Sequence, residues 1–85
     1  MHYEIIISPR VVRDMKKLPR EITTRIFSSL EKIQEDPIQS VYRLQDCTLY
    51  SLHIGEYRVI LDILPGKLVI IVVRVGHRRN VYTKI

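Results

Sequence analysis

The sequence predicts a small α+β domain in which two helices pack on one face of a mainly antiparallel sheet. Residues 2–7 form a short apolar segment, residues 9–35 carry apolar side chains at helical spacing, and from residue 48 the apolar pattern alternates with period two. The 85 residues, 46% of them apolar, suffice for one compact core but not for two. We therefore expect a single two-layer domain over residues 1–85.

The N-terminal half predicts a strand followed by a helical hairpin. Ser8 can cap the free amides of a helix start, and Pro9 has the fixed φ of a first helical position. Pro19 separates this helix from a second one over residues 20–35, which ends before Pro37 because proline disfavours helical geometry in the preceding residue. The apolar faces of the two helices consist of Val11, Val12, Met15 and Leu18, and of Ile22, Ile26, Leu30 and Ile33.

The C-terminal half predicts strands joined by two tight turns. Residues 55–56 (Gly-Glu) suit a two-residue hairpin turn, and residues 65–66 (Pro-Gly) suit a type II turn. Residues 67–75 follow as a β-branched strand, expected in the centre of the sheet. Residues 41–46 fit a short strand or an extended loop, so this part of the sheet has three or four strands.

The predicted turns fix which residues lie opposite each other. His53 lies opposite Arg58, with Cβ atoms about 5 Å apart, and Arg58 faces Val73 on the next strand. The chain leaves the sheet at Gly76, so His53, Arg58 and residues 77–79 are expected to meet at one end. The same face carries Ile60, Val69, Ile71 and Val73, which either this chain or another protein covers.

The positive charge is concentrated in the last quarter of the chain. The net charge is +5, and residues 1–62 hold equal numbers of basic and acidic side chains. Beyond Asp62 there is no acid, and the basic residues there are Lys67, Arg74, Arg78, Arg79 and Lys84. Such a cluster is typical of proteins that bind nucleic acid, because each phosphate contact releases counterions. A basic tail that aids solubility is the alternative.

Other features restrict the class of protein. No run of eighteen apolar residues exists and the N-terminus lacks the features of a signal peptide, so a cytoplasmic protein is expected. Cys47 is the single cysteine, which agrees with a reducing compartment. The histidines and Cys47 lack the spacing of a zinc site, and no cofactor is expected.

Three motifs resemble a known family. YEIIIS is followed by a basic helical hairpin, then by YSLHIGEYRVIL and finally by VVRVGHRRNVY. In order and spacing they resemble, over almost the whole chain, the RelE branch of the RelE/ParE toxin superfamily. The resemblance implies one strand, two helices and three or four further strands. It also implies metal-independent cleavage of messenger RNA in the ribosomal decoding site, and a RelB-like antitoxin as partner.

The resemblance assigns roles to individual residues. The hairpin arginine of the family falls on Arg58, the arginine after the last strand on Arg78, with Arg79 as the alternative, and the terminal tyrosine on Tyr82. Ser51 and His53 stand where lysines often occur in ribosome-dependent relatives, and His77 stands where another lysine often follows the glycine. The departures leave open whether full activity is retained.

The chemistry of RNA cleavage fits several of these side chains. Attack of the ribose 2′-hydroxyl on the adjacent phosphate needs a base, cations for the phosphorane, and an acid for the leaving 5′-oxygen. His53 suits the base because its ordinary pKa of about 6.5 leaves it largely neutral at neutral pH. Arg58, joined by Arg78, suits the phosphorane. The expected catalytic residues are His53, Arg58, Arg78 and Tyr82, and Tyr82 would stack on a base or orient the phosphate. The expected substrate-binding residues are Ser51, His77 and Arg79. His77 is also the candidate acid.

Two other functions remain open from the sequence. A ParE-like toxin would share the fold, bind DNA gyrase and cleave nothing. A relic that lost the family's lysines would bind RNA or antitoxin without catalysis.

Overall fold

The computed structural model describes residues 2–44 and 48–81 and contains seven main elements. In chain order these are β1 (Glu4–Ile7), α1 (Pro9–Lys16), α2 (Arg20–Ile33), β2 (Tyr42–Arg43), β3 (Leu49–Ile54), β4 (Tyr57–Leu64) and β5 (Val69–His77). The strands form one sheet in the order β1-β5-β4-β3-β2, in which β1 runs parallel to β5 and the other pairs are antiparallel. The predicted α+β class is confirmed, and the segment left open in the sequence contributes a short edge strand.

The helices form where capping and apolar spacing predict them. The Ser8 side chain accepts a hydrogen bond from the Val11 amide at 3.3 Å, and Pro9 occupies the first turn of α1. Both helices bury their apolar stripes against one face of the sheet. The core they share consists of Val11, Met15, Ile26, Leu30, Ile33, Leu52, Ile54, Val59, Leu61, Ile63, Ile70, Val72 and Val75. Among the described residues, no helix is long and apolar enough to cross a membrane.

The β3–β4 hairpin has the predicted turn and register. Gly55 has a φ of 56°, a left-handed conformation that glycine adopts without steric penalty. Ile54 pairs with Tyr57 and His53 pairs with Arg58, as the two-residue turn requires. The hairpin therefore carries His53 and Arg58 side by side on the face away from the helices.

The second predicted turn was wrong. Residues 65–67 form a 3₁₀ turn and Leu68 follows with a φ of 53°, so four residues connect the strands and Leu64 pairs with Val69. A β-bulge then shifts the register between Ile60 and Leu61, which leaves Val73 as the extra residue of β5. Arg58 consequently lies opposite Gly76 rather than Val73.

The face away from the helices is partly covered by this chain. Ile60 is 0% exposed and Ser51, its cross-strand partner, is 1% exposed. Val81 is 1% exposed and packs against Gly76, where an added Cβ would lie 3.7 Å from the Val81 Cβ. Toward the other edge of the sheet, Ile6 and Val73 remain exposed. The chain thus buries the part of this face nearest to Arg58 without a partner.

Candidate functional site

The end of the sheet at the β3–β4 turn carries one histidine and three arginines, and we call His53, Arg58, Arg78 and Arg79 the basic end. Arg58 Nη1 donates hydrogen bonds to the carbonyl oxygens of Gly55 at 2.7 Å and Tyr57 at 2.8 Å. Within the described residues no carboxylate pairs with Arg58. Both hydrogen bonds come from Nη1, and a guanidinium also has N–H groups on Nε and Nη2, which can bind an anion.

The surroundings of His53 favour the neutral form of its imidazole, which is the form that a base requires. The ring is only partly desolvated, and this partial burial, followed by the positive charge of Arg58, lowers the pKa of His53 below 6.5. This shift favours the neutral imidazole, the form that can accept a proton.

An aromatic neighbour of His53 was missed in the sequence. Tyr42 on β2 stacks on His53 with ring centroids 4.6 Å apart and an interplanar angle of 29°. The Tyr42–Ser51 pairing puts the two rings on the same face of the sheet. Tyr42 could have been found only if residues 41–46 had been assigned to a strand with this register.

Arg78 is held against the hairpin turn at two points. Its amide donates to the Glu56 carbonyl oxygen at 2.8 Å, and its Nε pairs with Glu56 Oε2 at 2.8 Å. The Arg78 side chain as a whole is 51% exposed. In the sequence Glu56 was identified only as a turn residue, because nothing in the local pattern indicates its contact with the distant segment.

A further cation near the turn comes from α2. Arg25 Nη1 lies 3.4 Å from the position that a Cβ on Gly55 would take. From the helical pattern, Arg25 is predicted only to face solvent. Its contact with the turn was not predicted from the sequence, because it depends on how α2 packs.

His77 does not join His53 and Arg58, which corrects its expected placement. It pairs with Tyr57 and contacts the Tyr57 ring edge-on, with centroids 5.5 Å apart, so its side chain lies on the helix-facing side. His77 Nδ1 accepts a hydrogen bond from the Arg79 amide at 3.2 Å, and its carbonyl oxygen accepts from the amides of Asn80 and Val81. His77 therefore shapes the turn that carries Arg78 and Arg79.

The remaining expected site residues differ in accessibility. Arg79 is exposed at the basic end, whereas Ser51 is buried, so a substrate would reach Ser51 only after the covering residues moved. Tyr82 lies outside the described residues, as does Cys47. Among residues 2–44 and 48–81, no group of three or more His, Cys, Asp and Glu side chains is placed to hold a metal ion.

The pKa of His53 should respond to Arg58. Because its folded-state pKa lies below the unfolded value of about 6.5, His53 costs no stability above that pH and destabilises the fold as the pH falls below it. Arg58→Ala removes the second cause of the shift, so the pKa of His53 should rise while staying below its ordinary value. NMR titration of the imidazole protons measures this directly. Arg58→Lys, which keeps the charge, is the control, and an unchanged pKa in the alanine variant would contradict the prediction.

The comparison with protein families shows that this fold is a small toxin domain of the RelE/ParE superfamily. Residues 5–82 match the family model described as the ParE toxin of the type II toxin-antitoxin system parDE, so the chain belongs to this family. It is a toxin of a type II toxin-antitoxin system. The match confirms the superfamily that the sequence motifs indicated.

Solved toxin structures have the same fold. A RelBE toxin-antitoxin complex from Mycobacterium tuberculosis gives a TM-score of 0.82 at 22% identity, covering 92% of this chain and 93% of that one. An archaeal RelE–RelB complex from Pyrococcus horikoshii gives 0.81 at 24% identity, covering 94% and 99%. A free double mutant of E. coli RelE gives 0.77 at 21% identity, covering 91% and 84%. A comparison with curated protein sequences gave no match.

Proposed function

We propose that this toxin is a ribosome-dependent, metal-independent messenger RNA endonuclease acting in the cytoplasm. The observation that carries the proposal is the cross-strand pair of His53 and Arg58 on the face away from the helices. It combines a neutral imidazole with a guanidinium held by two carbonyl oxygens. A base for the 2′-hydroxyl and a cation for the phosphorane are two of the three groups that the reaction needs, and an acid for the leaving 5′-oxygen is the third.

Each side chain has a defined task in this reaction. His53 takes the proton of the 2′-hydroxyl, and Arg58 stabilises the negative charge that develops on the phosphorane. Arg78 contributes its Nη atoms to the same phosphate, while Arg79 adds a less specific contact with the RNA backbone. Since His77 lies on the opposite face, solvent supplies the proton for the leaving 5′-oxygen. The ribosome holds the message bent for in-line attack, which this small rigid site cannot do alone.

The partners follow from the same proposal. The ribosome and its message are the targets, and a RelB-like antitoxin keeps the toxin silent. The similar structures from M. tuberculosis and P. horikoshii are complexes of a RelE toxin with its RelB antitoxin. A bound antitoxin would cover the exposed apolar residues Ile6 and Val73, or would block the basic end.

A second candidate function is inhibition of DNA gyrase without any cleavage. The matching family model is that of ParE toxins, and the guanidinium groups of Arg58 and Arg78 both already contact the β3–β4 turn. In this alternative the two arginines stabilise the turn, and His53 has no chemical role.

The deciding experiment supplies purified toxin to translating ribosomes on a defined message in a buffer containing EDTA. Primer extension maps new 5′ ends, naked message is tested in parallel, and gyrase supercoiling is assayed with the same protein. Cuts at the decoding position on ribosomes alone are expected. Loss of supercoiling with intact message would instead establish the gyrase function, and neither effect from folded protein would identify a relic that binds without catalysis.

The Glu56–Arg78 ion pair should orient Arg78 for this reaction. Glu56→Gln keeps the backbone bond but frees the Arg78 side chain, so cleavage should fall about two- to five-fold, the range set by an exposed ion pair. Rates of message cleavage on ribosomes measure the change, and urea unfolding should show almost unchanged stability. Glu56→Asp, which retains the carboxylate, is the control. A faster Glu56→Gln enzyme would show instead that Glu56 restrains Arg78.

A further inference from the structure

Tyr42 is an exposed aromatic residue that the proposed reaction leaves without a task. It is 64% exposed although it belongs to a strand and stacks on His53. One face of its ring rests on the imidazole, so the exposed surface includes the other face. An aromatic ring that presents a free face at the edge of a sheet is the arrangement on which single-stranded RNA stacks its bases.

The distance between the strands that carry Tyr42 and Arg58 suits the length of one nucleotide. Tyr42, His53 and Arg58 lie on the successive strands β2, β3 and β4 and share the face away from the helices. Neighbouring strands are about 4.8 Å apart, which puts the Tyr42 strand about 10 Å from the Arg58 strand. A phosphate bound at Arg58 therefore leaves room for the neighbouring nucleotide to extend across His53 toward Tyr42.

We propose that Tyr42 is a nucleobase-binding residue, whose free ring face stacks on a base next to the phosphate bound at Arg58. This inference rests on the proposed cleavage of RNA. It adds a residue that holds the RNA in position relative to His53 and Arg58. The base stacks on a ring that is itself supported by His53, so binding of the base and placement of the imidazole are coupled. Stacking does not read the base edge, and the site accepts any base.

The test uses RNA that cannot be cleaved. Short 2′-O-methyl oligonucleotides lack the nucleophilic hydroxyl, and 2-aminopurine at a single position reports stacking by loss of fluorescence. Wild-type toxin should strongly quench the fluorescence of 2-aminopurine at one position of the oligonucleotide. Tyr42→Ala should abolish that quenching and weaken binding about 5- to 150-fold, as expected for loss of one stacked base, whereas Tyr42→Phe should bind like the wild type.

Controls separate stacking from charge and from misfolding. Tyr42→Ala removes no cation, so the salt dependence of binding should keep its slope, whereas Arg58→Ala should lower the slope by about 0.7. Phe27→Ala deletes another exposed aromatic ring, on α2 across the sheet, and should bind normally. Equal binding and quenching by wild type and Tyr42→Ala would overturn the proposal, as would a wild-type protein that quenches none of the probes. Tyr42-dependent stacking by a toxin that cuts no message would refute the nuclease proposal and leave the base site standing.

Discussion

Arg58→Ala should lower cleavage of ribosome-bound message by about 10²- to 10³-fold, the usual effect of removing one preorganised group that stabilises a developing charge. The loss should appear in the rate of the chemical step, because Arg58 interacts most strongly with the phosphate when the negative charge on the phosphate increases in the transition state. Single-turnover cleavage on preassembled ribosome complexes measures it. The variant should remain folded, since within residues 2–44 and 48–81 the Arg58 side chain bonds to the carbonyl oxygens of Gly55 and Tyr57 at the partly exposed turn.

Two variants make the Arg58 result interpretable. Arg58→Lys retains the charge but not the forked geometry and should recover only part of the rate. Lys32→Ala also removes one positive charge, from the last turn of α2. This turn is far from Arg58, because Gln34, which follows α2, donates a hydrogen bond to the Tyr3 carbonyl oxygen at the opposite end of the sheet. The Lys32→Ala variant should cleave normally. If folded Arg58→Ala protein cleaves at the wild-type rate, Arg58 has no part in catalysis.

Ile60→Ala should destabilise the domain by about 2–5 kcal/mol, because it deletes a fully buried side chain and leaves a cavity. Native domains are stable by only about 5–15 kcal/mol, so this one substitution removes a large part of the total. Urea denaturation measures the change in the free energy of unfolding. The cavity would lie on the same face as Arg58, and cleavage should fall as the site loosens.

Val73→Ala tests whether burial causes the effect of Ile60→Ala. Val73 is also a β-branched residue on an interior strand of the sheet, but it is the extra residue of the bulge and is 42% exposed. Its truncation should cost less than 1 kcal/mol, or roughly the effect of an ordinary surface substitution. Similar losses in the two variants would contradict the packing described for Ile60.

The predictions from sequence succeeded where local chemistry dominates. Ser8 and Pro9 identify the start of α1, and Gly55 followed by Glu56 identifies a two-residue turn. That turn is sufficient to place His53 opposite Arg58, because side chains alternate strictly along a strand. The central pair of the candidate site was therefore predictable from a few residues.

The failures arise where one residue changes the register. Leu68 adopts a left-handed conformation that β-propensity does not predict, and the bulge at Val73 has no sequence signal of its own. Together they shift Gly76 to the position opposite Arg58 and turn His77 toward the helices. The contacts of Glu56 with Arg78 and of Tyr42 with His53 join segments that are distant in sequence, so no local pattern could have predicted them.

The parallel pairing of β1 with β5 has a consequence for how the toxin is made. Glu4 pairs with Val69, so the first strand can take its place in the sheet only after almost the whole chain has been synthesised. Contacts between such distant segments also form slowly, because the chain must first close a long loop. The sheet of a nascent toxin therefore stays incomplete until β5 has been synthesised.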